Sequence, residues 1–186
     1  MHGLVRAAAF TVAEREDTRI LMRTAWDKTM EDAWPFPFLF AAEYALEDEA
    51  LTVAFTVENT GAAEMPYSVG NHFYFEVPAA ERGEWELEGR FQACARQAPD
   101  GSIVAVADAP RRLSDPGMID LFHLGPGVNG PVLRHRRDGR AVAFDLRPDA
   151  AGVDPWYAVT TWTESPAADF YCVEPWTALP DAVHNG

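Results

Sequence analysis

Cysteine is scarce: Cys94 and Cys172 are the only two, so no disulfide framework can staple the chain. Neither lies in a Cys-x-x-Cys or Cys/His ligand spacing, and a reducing, cytoplasmic setting is the default reading. Basic residues are also few, 15 Lys and Arg against 29 Asp and Glu, giving a net charge of -14. Phosphate recognition needs a basic face, so a nucleic-acid partner is not expected, and an anionic membrane surface is disfavoured for the same reason. Solubility is the ordinary explanation for such a charge. Long apolar runs are missing too. The opening Met1 to Arg6 shows no basic region followed by an apolar stretch, and no segment approaches membrane-spanning length, so no export or insertion signal is read. No repeat, low-complexity tract or linker divides the 186 residues, which are expected to form one domain, 1–186.

What is present is apolar and aromatic material, 48% and 12% of the chain, enough to bury a core. Residues 7–12 and 18–23 read as two short strands around a polar link at 13–17. Residues 24–34 carry Trp26, Met30 and Trp34 at loosely helical spacing, but Pro35 and Pro37 stop any helix, so a loop with at most one helical turn is expected. Phe38, Phe40, Ala42, Tyr44 and Leu46, then Leu51, Val53, Phe55 and Val57, alternate with small or polar residues on either side of Glu47 to Ala50. That is a long antiparallel hairpin with one buried face. Asn59-Thr60-Gly61 supplies a turn. Shorter strands follow at 85–88, 102–106, 131–133, 141–146, 157–164 and 169–173, separated by turns such as Pro99-Asp100-Gly101 and Arg137-Asp138-Gly139. The fold class is all-β, an antiparallel sandwich or barrel.

Two stretches stand out. Residues 65–78 are bracketed by Pro66 and Pro78 and place a histidine in an aromatic strand. If the segment is extended, Phe73, Phe75 and Val77 share one face, and His72, Tyr74 and Glu76 share the other. Gly70 leaves room for a close approach. Taken alone, His72 reads more readily as a core or rim histidine satisfied by a neighbour than as a functional one. The second stretch runs from Asp169 to Ala182 and sets Glu174 at the end of an apolar strand, where a carboxylate is costly to desolvate unless partnered. Pro175 is expected to end the ladder there and aim Glu174 into a cleft, and an edge-capping glutamate is the plainer alternative.

In order along the chain, Pro35-Phe36-Pro37-Phe38, Tyr44-Ala45-Leu46, Leu51-Thr52-Val53, Val57 to Gly61, Met65 to His72 and Cys172-Val173-Glu174-Pro175-Trp176 resemble the aldose 1-epimerase (galactose mutarotase-like) family. The branch with the greatest likeness holds hexose-6-phosphate mutarotases and bacterial homologues of unassigned sugar specificity. His2-Gly3-Leu4-Val5-Arg6 fits a further segment of that branch. The resemblance implies a large antiparallel β-sandwich with a sugar cleft and interconversion of the α and β anomers of an aldose. It implies His72 as general acid, Glu174 as general base, His2 and Arg6 as sugar contacts, and Asp120 as a sugar-binding aspartate. Asn71 is expected either to hydrogen-bond the ligand or to fix the strand end. Trp156, Trp162 and Trp176 offer ring faces for stacking, though core packing is the expectation for at least two of them.

A His/Glu pair suits such a reaction. Ring opening delivers a proton to the ring oxygen while another leaves the anomeric hydroxyl, and ordinary pKa values of about 6.5 and 4.3 leave a window with imidazolium and carboxylate together. No metal or organic cofactor is required, and the expected partner is a small-molecule sugar or sugar phosphate. Arg111-Arg112 and residues 134–137 are the basic runs a phosphate could use, with solvated loops as the plainer reading. His123, His135, Asp181 and His184 read as surface residues. The chain looks short at both ends beside the family, so exposed sheet edges that could pair into a homodimer, and a mobile His2, are expected. Two other classes stay open: a carbohydrate-binding sandwich without turnover, and a cupin-like metal barrel using His72, Glu76 and another histidine, which lacks the His-x-His pair such a site wants.

Overall fold

The computed structural model describes residues 3–182, nearly all of them in antiparallel strands and their connections. Packing divides the chain into two compact units, residues 1–67 and 68–186. Among the described residues no helix is long and apolar enough to cross a membrane.

The first unit is a four-stranded sheet in simple order: β1 (Thr11–Arg15), β2 (Arg19–Ala25), β3 (Phe38–Glu47) and β4 (Ala50–Asn59). The long hairpin forms as its alternation predicts. Register runs from Phe38 opposite Asn59 to Glu47 opposite Ala50, leaving the two-residue turn Asp48-Glu49, with Asp48 at φ +48°. Phe38, Phe40 and Ala42 are buried on one face, and Phe40 sits 5.6 Å from Phe55 and 6.1 Å from Phe10 between ring centroids. The first hairpin is shifted from its expected limits: β1 extends through Arg15, and the turn falls on residues 16–18. Arg19 ties it down by pairing with Glu14 at 2.7 Å and Glu43 at 2.6 Å. Between β2 and β3 the expected turn is a 3₁₀ helix, Lys28–Met30, started by the Asp27 carboxylate accepting from the Thr29 N–H at 2.7 Å.

The second unit has two layers. One sheet has the order β5 (Phe73–Glu76), β13 (Phe170–Trp176), β12 (Ala158–Trp162), β9 (Leu121–Leu124), β7 (Ala93–Gln97) and β8 (Ile103–Ala105). The other is β11 (Ala141–Ala143), β10 (Val132–His135) and β6 (Trp85–Glu88). Trp85, Leu87 and Leu133 from the small sheet meet Leu121, Val159, Tyr171 and Val173 from the large one, with Val77, Met118, Phe144 and Leu146 closing the cluster. Each such side chain removed from water contributes about 1.5–3 kcal/mol, so this shared layer holds the sheets together.

Three expectations change. β7 and β9 go unread in the sequence: β7 is small and polar, and β9 is only four residues with no alternation, because three of them are buried. His123 lies in β9 and is 3% exposed, and His135 in β10 is fully buried; both belong to the interior rather than the surface. His123 is satisfied by Thr161 Oγ1 at 3.2 Å, and His135 Nδ1 lies 2.6 Å from Asp138 Oδ1. Finally, β13 continues through Pro175 instead of ending before it. The residue's carbonyl, not its missing N–H, makes the link, accepting from the Asn71 N–H at 3.1 Å.

Arg82, 5% exposed, anchors the 3₁₀ turn Ala79–Glu84 to the chain entering β13. Its guanidinium donates to the carbonyls of Ser165 (2.9 Å), Ala168 (2.5 Å) and Phe170 (3.2 Å) and to Thr163 Oγ1 (2.8 Å), and lies 5.4 Å above the Tyr171 ring. Arg82→Met keeps the apolar stem but strands these acceptors. It is expected to cost ~2–4 kcal/mol, read as a lower urea midpoint with an unchanged slope.

Candidate active site

β13 carries the site by simple alternation. Tyr171, Val173 and Pro175 turn into the core, so Cys172, Glu174 and Trp176 share the opposite face. Register with β12 sets Trp162 opposite Cys172, Thr160 opposite Glu174 and Ala158 opposite Trp176. On the other flank, β5 sets Tyr74 opposite Cys172, and His72, two residues before Tyr74, falls beside Glu174. Gly70 makes the last contact in this row, bridging to Trp176. A side chain at Gly70 would put its Cβ 2.5 Å from Trp176 Cδ1 and 3.0 Å from the Pro175 carbonyl oxygen, so only glycine lets the two strands close here.

His72 Nε2 lies 3.4 Å from Glu174 Oε1. The imidazole stacks on Tyr74 at 4.8 Å with 15° between planes and meets the Trp162 ring edge-on at 5.8 Å, which fixes its orientation. The histidine side chain is 29% exposed and the glutamate 4%, so one partner faces water and the other does not. Burial pushes the Glu174 carboxyl up to about 7, a hydrogen bond from Trp176 pulls it back part of the way, and the negative charge of Asp120 adds to the rise. The carboxyl therefore changes protonation near neutral pH, where a proton acceptor is most useful. Burial, with the neighbouring Glu174 charge, pushes the Cys172 thiol up to about 12.

Of the residues singled out in the sequence, the structure brings His72, Glu174, Trp176 and Asp120 together. Asp120 is exposed in the turn before β9, at φ +54°, and acts on Glu174 through its charge. Asn71 holds the strand end through its backbone, while its Nδ2 is buried and has no hydrogen-bond partner among the described residues. Arg6 sits exposed on the 3₁₀ turn Val5–Ala7 of the first unit. His2 and His184 lie outside the described residues. Asp181 is exposed, and Trp156 packs against the core of the second unit.

The sequence reading passed over Cys172, Thr160 and the part Trp162 plays beside His72. Cys172 was recoverable, since it stands two residues before Glu174 on one strand. Thr160, buried with an Oγ1 that has no hydrogen-bond partner among the described residues, is placed opposite Glu174 by strand register alone. A hollow of about 660 Å³ in the first unit, lined by residues including Arg23, Asp27 and Met30, contains none of these groups.

A buried carboxyl pushed up to about 7 beside an oriented imidazole, on one face of an antiparallel sheet, is the candidate site. The aldose 1-epimerase family matches residues 1–185, and the chain belongs to that family. LacX (chromosomal) of Lactococcus lactis subsp. lactis is 24% identical over all of this chain, which spans 65% of the LacX length. The uncharacterised protein YphB of Escherichia coli K12 is 26% identical over 76% of this chain and half of its own. Among solved structures, a galactose mutarotase related enzyme from Lactobacillus acidophilus superposes with a TM-score of 0.76 at 20% identity, covering 98% of this chain and 65% of that one. A galactose mutarotase-like protein from Clostridium acetobutylicum gives 0.75 at 16% identity, covering 96% and 59%. These likenesses fix the fold as that of galactose mutarotase-like proteins.

Two outcomes follow from the geometry. Because the folded state raises the Glu174 carboxyl from its ordinary 4.5 to about 7, it favours the protonated form; that contribution is complete below pH 4.5 and is lost as pH rises through 7. Glu174→Gln is therefore expected to be more stable than the parent at pH 8 by about 1–3 kcal/mol and equal to it only below about pH 4.5, measured by urea unfolding. Gly70→Ala is expected to displace the Trp176 indole, seen as a shift in tryptophan emission at unchanged far-ultraviolet circular dichroism.

Proposed function

We propose that this chain interconverts the α and β anomers of a hexose or hexose phosphate, with His72 as general acid and Glu174 as general base. The observation that carries the reading is the 3.4 Å separation of His72 Nε2 and Glu174 Oε1, one partly open to water and the other buried. The two reacting oxygens of an aldose, the ring oxygen and the anomeric hydroxyl, are borne by the same carbon, so the groups that serve them must be close neighbours.

In the proposed cycle, Glu174 takes the proton of the anomeric hydroxyl while His72 protonates the ring oxygen, and the ring carbon–oxygen bond breaks to give the open-chain aldehyde. Rotation about the first carbon–carbon bond presents the other face. The hydroxyl then attacks the carbonyl carbon as His72 recovers its proton and Glu174 returns the other. The buried Asn71 Nδ2 and Thr160 Oγ1 are the groups that sugar hydroxyls would satisfy. Trp162 and Trp176 flank the pair with apolar ring faces.

The test is anomer exchange followed by polarimetry on freshly dissolved α-glucose, α-galactose and glucose 6-phosphate. The parent chain is expected to accelerate exchange of at least one of them, and His72→Ala and Glu174→Ala each to lose ~10²–10⁴-fold of that acceleration. The double variant is expected to lose little more than either single one, since the pair acts as a unit. Saturable sugar binding by a folded parent that leaves the exchange rate unchanged would overturn the catalytic reading in favour of a binding module.

A further inference from the structure

We propose that His72, Cys172 and Glu174 together bind a thiophilic divalent cation, Zn²⁺ foremost, and that its occupancy silences the proton-transfer pair. The silencing rests on the catalytic reading above; the binding does not. One ligand atom from each residue, imidazole nitrogen, thiol sulfur and carboxylate oxygen, lies within 4.8 Å of the other two. This is a zinc donor set, and ligand atoms on a tetrahedral zinc stand about 3.3–3.8 Å apart, so small side-chain rotations close the site. Three donors leave the fourth position to water or a sugar hydroxyl.

The surroundings favour a cation. Cys172 is fully buried and Glu174 is 3% exposed, so their charges are poorly screened once the thiol proton has been exchanged for the ion and released to solvent. Asp120 adds negative potential at Glu174. Two of the donors sit on one paired strand: Cys172 and Glu174 alternate along β13, which is hydrogen-bonded to β5 on one side and β12 on the other. A sulfur donor selects against Mg²⁺ and Ca²⁺, which take oxygen ligands. The ion would occupy the imidazole nitrogen and the carboxylate, the two atoms that must gain and lose protons.

The site is tested by titrating Co²⁺ into the metal-free 186-residue chain and its Cys172→Ala, Cys172→Ser and Cys94→Ala variants, each checked for folding by circular dichroism. The parent and Cys94→Ala are expected to develop a near-ultraviolet sulfur-to-cobalt charge-transfer band that saturates at one ion per chain and is displaced by Zn²⁺. Both Cys172 variants are expected to lack it and, by calorimetry, to bind Zn²⁺ about tenfold or more weakly. No band in the parent, or a band that survives in the Cys172 variants, overturns the site. So does its loss in Cys94→Ala, which would move it to Cys94 and His123, whose Sγ and Nδ1 stand 3.7 Å apart. Anomer exchange separates the two readings: a cobalt band on a chain that does not accelerate exchange refutes the catalysis and keeps the metal site. Acceleration unaffected by one equivalent of Zn²⁺ refutes the silencing.

Discussion

Keeping the Glu174 carboxyl out of water is the constraint on which the rest of the structure turns. A carboxylate in such a place must find partners or take up a proton, and here a hydrogen bond from Trp176 only partly offsets the burial that pushes the group up to about 7. Several features follow from that unmet demand. His72 has to stand within reach, Gly70 has to be small so that Trp176 can close on it, and β13 has to run on through Pro175 so that Trp176 is on the same face at all. An ionised Glu174 is costly to the fold at this position, because burial disfavours its charged form.

The large sheet of the second unit divides its labour between its faces. One face gives Val159, Tyr171 and Val173 to the core, and the other presents Thr160, Trp162, Cys172 and Glu174. Because the two sets alternate residue by residue on the same strands, the packing of the first sets the position of the second. This is why a site with so few polar groups can be well oriented: its rigidity is borrowed from the apolar layer beneath it.

Much of this was legible in the residues. The alternation of Phe38 to Leu46 with Leu51 to Val57 declared the long hairpin, and the alternation through residues 71–77 placed Phe73, Phe75 and Val77 away from His72 and Tyr74. His72 and Glu174 were singled out by their aromatic and apolar settings before any resemblance was invoked, although only the resemblance joined them into a pair. What could not be read was register. Nothing local says that Thr160 faces Glu174 or that Trp162 meets the His72 ring, since both depend on which strands neighbour β13. β9 and the burial of His123 and His135 were hidden for another reason. A short strand covered on most sides loses its alternation, and a buried histidine looks like a surface one until its partners, Thr161 and Asp138, are known.

The pairing of β5 with β13 joins residues 73–76 to residues 170–176, and β12 and β9 lie between them in sequence but beyond β13 in space. Contacts of such long sequence separation are made late, after the loops they close have become affordable in entropy. A nascent chain that has emerged as far as β12 therefore holds His72 on a strand with an open edge and no carboxylate beside it. The histidine and the glutamate become neighbours only when β13 lies between β5 and β12, so the candidate pair is assembled by the same step that completes the sheet.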